Sequence, residues 1–387
     1  MSTRERRNRS NESDRFLSEL FSNAVHTHCD IDSGKEIALA AVGGYGRGEL
    51  SPGSDLDILF LHTGKIAQDA LKAVVNDVLY PLWDKTSVDH SVRTRSETRD
   101  SADSDLRVAT GLLDIRLIAG NAELVAAVQS DAIEYWRKGA KDNLVKLQAS
   151  LEERHARAGE LAYLLEPDLK EARGGLRDIQ ALRAISKTGA VRVPLEKISW
   201  AESTLNNVRE ALHIVSGRGK DRLLFQEQDK VAELLEYSDA DVMMSDVARA
   251  ARSVDYLLDY TWHAIEHKGK DGLGRIIRRP RVVTVAKNVS AAHREIVIDP
   301  FTSLNDDPVV GLRAAATAAQ LGLPLSLDTC TELATALNSG EGALPNPWPR
   351  EARELLISLI GAGESMVGVF ESLDQEEIIF HWIPEWR

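Results

Sequence analysis

The stretch Val42–Leu61 reads VGGYGRGELSPGSDLDILFL and joins a glycine-rich turn to two aspartates at the start of an apolar run. Asp55 and Asp57 are separated by one apolar residue, so on an extended strand their carboxylates project from the same face. Leu56 and Ile58 then face the core. This spacing gives two carboxylates the geometry needed to share a divalent cation.

The residues just before the aspartates are suited to phosphate groups. Gly43 and Gly44 lack the Cβ atoms that would keep backbone N–H groups away from a triphosphate, and Ser54 adds a hydroxyl donor. Phosphates on one side and carboxylates on the other would hold Mg²⁺ between them. The stretch therefore indicates metal-dependent nucleotidyl transfer.

Two commoner glycine motifs do not fit this stretch. In a dinucleotide-binding turn, G-x-G-x-x-G, the third glycine would stand where Glu49 stands, and a P-loop needs a Gly-Lys-Ser/Thr that is missing here. A plain hairpin turn at Pro52-Gly53 with solvated aspartates is the remaining alternative. The apolar run Ile58–Leu61 argues against it, because a buried run seldom begins with paired carboxylates.

A third carboxylate is expected on a later strand. Residues 87–95 alternate like a strand, which places Asp89, Ser91 and Arg93 on one face. We take Asp89 as the third ligand. Asp114 at the end of a later element, or a site with only two carboxylates, are the alternatives.

The glycine turn followed by Asp-x-Asp resembles the nucleotidyltransferase superfamily that includes DNA polymerase β, and more narrowly the bacterial PII-protein uridylyltransferase family. Three further segments resemble blocks of that narrower family, in the family's order within residues 40–265: HSVRT at His90–Thr94, LLEPDLKEARGGLRDIQ at Leu164–Gln180 and LHIVSGRGKDRLLFQEQ at Leu212–Gln228.

The resemblance implies an α/β plus α fold. We expect a polymerase-β-like nucleotidyltransferase domain, a small mixed sheet with flanking helices, over residues 1–135 after an N-terminal helix. A mainly helical domain would follow over 136–387, with a short β hairpin near 281–299. The HD phosphohydrolase and ACT domains of full-length relatives are expected to be absent, since the sequence stops at Trp386-Arg387. We therefore expect a truncated chain or a natural short form with transferase activity only.

The resemblance also implies the reaction. UMP from UTP, or AMP from ATP, would be transferred to a tyrosine of the PII nitrogen-regulatory protein, with two Mg²⁺ ions held by Asp55, Asp57 and Asp89. Basic side chains near the second glycine block would contact phosphate or partner, because the glycines there break one element and free the N–H groups of the next. The nucleotide-binding candidates are Gly43, Gly44, Ser54, Arg47, Lys170, Arg173 and Arg177.

Composition agrees with a cytoplasmic enzyme. The net charge of −13 disfavours a general nucleic-acid binder, because phosphate neutralisation needs a basic footprint. Cys29 and Cys330 are the only cysteines, which argues against a disulfide framework. The first twenty residues lack an apolar core and are interpreted as a frayed basic tail that leads into a helix, not as a secretion signal. No membrane partner is expected.

Three alternative functions remain. The glutamine synthetase adenylyltransferase shares the SDLD and GGLRDI elements, but HSVRT and GGYGRGEL favour the PII enzyme. A tRNA or RNA nucleotidyltransferase is disfavoured by the pI of 5.3. A non-catalytic scaffold that binds PII through its helical part is the third, and the retained aspartates and double glycine count against it.

Overall fold

The computed structural model describes residues 3–30, 32–83, 86–217, 219–268 and 282–386. The chain divides into two compact units, Met1–Asp255 and Tyr256–Arg387. The boundary predicted after residue 135 falls inside the first unit. It lies in a helix whose Trp136 is fully buried and donates its indole N–H to the Ala184 carbonyl at 2.8 Å. Packing of this kind joins the sheet and the helices that follow it into one unit.

The first unit contains a four-stranded mixed sheet in the order β3-β2-β1-β4. Its strands are β1 (Ile37–Ala41), β2 (Leu56–His62), β3 (Val88–Thr94) and β4 (Arg116–Gly120). Strand β1 pairs antiparallel with β2 and β4, whereas β2 and β3 are parallel. The sequence IALAA of β1 is buried throughout, as expected for a central strand covered on both faces. The predicted mixed α/β class with a small sheet is confirmed.

Helices cover the sheet and continue through the rest of the first unit. In chain order they are α1 (Thr3–His28), α2 (Gly43–Gly46), α3 (Gln68–Trp83), α4 (Arg95–Ser104), α5 (Leu106–Leu112), α6 (Ala122–Lys138), α7 (Ala140–Ala158), α8 (Leu176–Thr188), α9 (Ser199–Ser216) and α10 (Phe225–Leu234), and α11 (Ala240–Lys268) includes the division between the units. Apolar residues of α1 and α3 form one core with Leu56, Ile58 and Phe60 of β2. Asp57 alternates with these residues and therefore points to the other face of the sheet.

The N-terminal segment differs from the frayed tail that was predicted. Helix α1 begins at Thr3, and two of its arginines bind the buried Glu210: Arg6 at 3.2 Å and Arg9 at 2.7 Å. Arg9 also donates to the Leu50 carbonyl at 2.6 Å. The basic residues are thus ordered by a carboxylate about 200 positions away in sequence, which local pattern does not reveal.

The second unit is mainly helical, with α12 (Val310–Leu321), α13 (Leu327–Asn338), α14 (Arg350–Ile360), α15 (Glu364–Gln375) and α16 (Ile379–Trp382). Its sheet has three antiparallel strands, β5 (Val283–Ala286), β6 (Val289–Ala292) and β7 (Glu295–Ile298), where a two-stranded hairpin was predicted. Asn288 turns the chain once, and His293-Arg294 turn it again with positive φ angles of 51° and 62°. This second turn lacks glycine, proline and asparagine, so it could not be recognised from its residue types. Residue 281 lies outside the described residues.

None of the described helices is by itself long and apolar enough to cross a bilayer. Helices α14 and α15 satisfy the length and composition criteria only as a pair, and they are bent by 118° at the break between them.

Candidate active site

A cavity of about 1290 Å³ lies in the first unit, where β1 ends and β2 and β3 begin. It brings together most of the residues predicted from the sequence, which are drawn from residues 43–177. The predicted residues that line it are Gly43, Gly44, Arg47, Ser54, Asp55, Asp57, Asp89, Lys170 and Arg177. Arg173 is not among the described lining residues, and its Nε donates to Asp255 at 2.5 Å.

The three aspartates, here called the acidic set, begin two neighbouring strands. Asp57 and Asp89 are partners in the parallel β2–β3 register, so their side chains lie on the same face of adjacent strands, roughly 5 Å apart at the backbone. Asp55 stands one residue before β2. Within the described residues, no hydrogen bond or ion pair to these carboxylates is present. The acidic set therefore keeps its oxygen atoms available.

Electrostatics identify Asp57 as the central member of the acidic set. Partial burial raises the pKa of Asp57 above its ordinary value, and the neighbouring charges of Asp89 and Asp55 raise it further. Lys170 and Arg177 act in the opposite direction. Like charges held this close are mutually unfavourable, and a bound cation would relieve that repulsion.

Gly43 makes room for the Asp57 carboxylate. Its φ of +55° lies in the left-handed region that favours glycine, and a Cβ built there would lie 3.3 Å from Asp57 Oδ2. The preceding residue, Val42, donates its N–H to the Asp57 carbonyl at 3.1 Å. The double glycine was predicted to admit phosphate to the backbone. The structure adds that the first glycine also fits the turn against an aspartate of the acidic set.

Lys170 and Arg177, the basic set, come from the second glycine block. Lys170 is half-buried, and burial together with the nearby Arg177 lowers its pKa, while Asp221 opposes that change. Arg177 is exposed and pairs with Glu171 at 3.2 Å. Both cations lower the pKa of Asp57, and the same cavity is lined by the basic set and the acidic set.

The basic set is positioned by Asp178, which the sequence analysis did not single out. This fully buried carboxylate accepts hydrogen bonds from the Gly174 N–H at 2.7 Å, from His155 Nε2 at 2.9 Å and from Arg154. Burial alone would raise the pKa of Asp178, but the bonds from His155 and Arg154 hold it below its usual range. The aspartate of the GGLRD motif thus fixes the start of α8, and with it Arg177.

Asp221 is a second anchor missed from the sequence. It accepts from Arg209 Nε at 2.6 Å and from His213 Nε2 at 2.8 Å, and Lys170 Nζ lies 3.8 Å away. Arg209 also donates to the Ser51 hydroxyl at 3.0 Å. Although burial would raise the pKa of Asp221, the bonds from His213 and Arg209 hold it well below its usual range.

The turn before Asp55 is therefore tied to the same anchor as Lys170. Ser51 donates its N–H to Ser54 Oγ at 3.1 Å, so the hydroxyl predicted to bind phosphate also closes this turn. A Cβ on Gly219 would lie 2.1 Å from the Gly53 carbonyl oxygen, which shows how closely the two loops approach. The motif GRGKDR at residues 217–222, which contains Gly219 and Asp221, is the part of the sequence from which this contact could have been suspected.

Asp114, the alternative third carboxylate, has two basic partners. It accepts from Arg47 Nη1 at 2.7 Å and from Lys187 Nζ at 2.5 Å. Arg47 in turn donates to Glu49 at 2.7 Å. Burial would lower the pKa of Arg47, but the carboxylates of Glu49 and Asp114 raise it above its ordinary value. Arg47 and Asp114 both line the cavity, but the charge of Asp114 is already neutralised by Arg47 and Lys187. The geometry favours Asp89 over Asp114 as the partner of Asp57.

The small mixed sheet with flanking helices, with the acidic and basic sets around one cavity, is consistent with a nucleotidyltransferase-like class of protein. Comparison with known proteins gives the particular family. A family model described as GlnD PII-uridylyltransferase matches residues 142–192 and 192–262. That span includes the basic set and both anchors but not the acidic set.

Curated relatives extend the match across the chain. The enzyme of Streptomyces coelicolor named bifunctional uridylyltransferase/uridylyl-removing enzyme is 41% identical to this chain, over 97% of the chain and 45% of the relative. The enzyme of the same name from Mycobacterium tuberculosis is 36% identical, over 94% of the chain and 46% of the relative. A third from Corynebacterium glutamicum is 30% identical over 90% of this chain and 49% of the relative. The chain thus spans about half the length of these relatives. The resemblance to the PII-uridylyltransferase family is confirmed, and the chain is a homologue of these enzymes over nearly its whole length.

Proposed function

We propose that this chain transfers UMP from UTP to a tyrosine of the PII nitrogen-regulatory protein, in a reaction that requires Mg²⁺ and releases pyrophosphate. The observation that carries the proposal is the registered pair Asp57 and Asp89 on adjacent parallel strands, with Gly43 against Asp57. The family model names PII, and the relatives are named uridylyltransferases, which supports UTP over ATP as the donor.

The acidic set fits Mg²⁺ by its chemistry. Among the described residues no three His, Cys, Asp or Glu side chains form a ready-made metal-binding group. Mg²⁺ does not require such a group, because it is usually held by one or two carboxylates plus substrate phosphates and water. Asp57 and Asp89 would supply those carboxylates and Asp55 would complete the set. When bound, the ions would neutralise phosphate charge and polarise the reacting phosphoryl group.

The chain's own residues would orient the triphosphate. Lys170 and Arg177 would donate to its oxygen atoms, and the loops fixed by Asp178 and Asp221 would hold those cations in place. The phenolic oxygen of the acceptor tyrosine would bond to the α-phosphorus as the bond to pyrophosphate breaks. The phenolic proton would go to a carboxylate of the acidic set, of which Asp55 and Asp89 are exposed.

The test is the intact mass of PII after incubation with the full chain, Mg²⁺ and either UTP or ATP. We expect a UMP adduct with UTP, no adduct after chelation of Mg²⁺ with EDTA, and no adduct with the double variant Asp55→Asn/Asp57→Asn. Asp69→Asn is the matched control, because Asp69 is an exposed carboxylate on α3 outside the cavity. Unmodified PII with the wild-type chain would refute the proposal, and an AMP adduct alone would correct the donor.

A further inference from the structure

An exposed apolar patch borders the cavity. Tyr163, Leu165 and Phe225 are 75%, 68% and 63% exposed, and Leu164 between the first two is also exposed. Large apolar side chains that gather on a surface commonly mark a binding site, whereas single ones need no explanation. These four residues are called the apolar patch below.

The patch is held together by hydrogen bonds between two segments. Gln228 donates to the Leu165 carbonyl at 2.8 Å, and the Phe225 N–H donates to Glu166 Oε1 at 3.1 Å. Leu223 adds a backbone bond to the Pro167 carbonyl at 2.9 Å. The start of α10 and the segment before the basic set are therefore fixed side by side. A preformed apolar surface loses little conformational entropy when a partner binds.

The patch is continuous with the cavity lining. Leu164, Glu166 and Arg222 line the cavity, whereas Tyr163, Leu165 and Phe225 are not among its lining residues. A nucleotide bound at the acidic and basic sets would lie inside the cavity and leave the patch uncovered. A protein that brings a side chain into the cavity would instead cover its rim.

We infer that the apolar patch docks the acceptor protein, by receiving apolar side chains that flank the tyrosine it presents. The inference rests on the proposed function, since it takes PII as the acceptor. The family model named for PII spans 142–262, which contains the whole patch. Aromatic and large aliphatic anchors of this kind dominate the binding energy of protein interfaces.

Direct binding tests the inference separately from catalysis. The full chain is passed over immobilised PII in the presence of Mg²⁺ and a non-hydrolysable UTP analogue, as wild type and as Leu165→Ser, Phe225→Ser and the double variant. We expect the apparent Kd to rise severalfold in each single variant and about tenfold or more in the double variant. Val145→Ser is the matched control, because Val145 is 64% exposed on α7 and does not line the cavity.

Binding of the UTP analogue and the mass of PII after transfer are measured on the same variants. The Kd for the UTP analogue is expected to stay unchanged in all variants, because neither Leu165 nor Phe225 lines the cavity. Equal PII binding by wild type and double variant would overturn the inference even if UMP transfer is observed, and so would a wild-type chain that does not bind PII. Self-association of the wild type that the double variant abolishes, seen by light scattering, would assign the patch to a second copy of the chain and overturn it too. Loss of PII binding only in the patch variants would support docking even if no transfer occurred, which keeps the two proposals apart.

Discussion

The acidic and basic sets of one cavity are held in place by different means. Asp55, Asp57 and Asp89 sit at the starts of strands, repel one another and have no bonded partner within the described residues. The basic set depends on two buried or nearly buried carboxylates, Asp178 and Asp221, whose bonding groups are provided by surrounding helices. The charges of the acidic set are thus left available to a ligand, whereas the charges of Asp178 and Asp221 hold the basic set in position. Substitutions should therefore separate activity from stability.

The largest effect is expected for Asp57→Asn. Loss of the central carboxylate would remove a Mg²⁺ ligand, and we expect the transfer rate to fall by at least about a hundredfold. The free energy of unfolding should stay the same or rise, because the substitution also removes repulsion from Asp89 and Asp55. Initial rates from intact-mass spectra and urea unfolding check both parts. A variant that is active within about twofold of wild type would contradict the assignment of the acidic set.

The next prediction separates Asp89 from Asp114. We expect Asp89→Asn to lower the transfer rate by about a hundredfold without loss of stability. Asp114→Asn should instead destabilise the fold by about 1–3 kcal/mol, because Arg47 and Lys187 would each lose a charged partner. At a temperature where both variants are folded, Asp114→Asn should keep most of its activity. The opposite ranking of the two rates would make Asp114 the third ligand.

The variant Asp221→Asn tests whether this carboxylate holds Lys170 and the turn before Asp55 in position. Removing this charge leaves Arg209 without its carboxylate partner and takes away the anion 3.8 Å from Lys170, so we expect a loss of about 2–3 kcal/mol in stability. The KM for UTP should rise about tenfold, because Lys170 and the turn before Asp55 would both loosen. Glu134→Gln, which removes an exposed pair with Lys138, is the control and should leave both quantities unchanged.

The same variant has a pH signature. The pKa of Asp221 is lower in the folded state than its ordinary value of 3.8, so the folded state binds fewer protons than the unfolded state in acid. Its contribution to stability is complete above the unfolded pKa and is lost as pH falls through the folded one. Wild type should therefore lose stability below about pH 4 more steeply than Asp221→Asn, as measured by urea unfolding across pH. Parallel curves would contradict the role of this charge.

The local sequence predicted those parts of the site that depend on residues close together in the chain. The alternation in GSDLDILFL placed Asp55 and Asp57 at the start of a strand, and Asp89 was placed on the strand predicted at 87–95. The parallel pairing of Asp57 with Asp89 was not predicted and is seen only in the structure. The anchors could not be found in that way. Arg209 and Ser51 are 158 positions apart, and the bond between them depends on the packing of α9 against a distant turn. Hydrophobic periodicity indicates which face of a helix or strand is apolar, but it does not indicate which polar side chains form hydrogen bonds with one another.

Arg173 and Arg177 show this limit within one motif and give the smallest expected effect. Both were predicted to bind the nucleotide, but only Arg177 lines the cavity, whereas Arg173 pairs with Asp255. Arg177→Ala should raise the KM for UTP severalfold with little change in stability, because an exposed cation that meets a phosphate contributes to substrate binding. Arg173→Ala should leave the KM for UTP unchanged and lower the unfolding midpoint slightly. Steady-state kinetics with UTP varied at saturating PII measures the difference. Equal increases in KM for the two variants would mean that Arg173 also reaches the nucleotide, which would require its loop to rearrange when substrate binds.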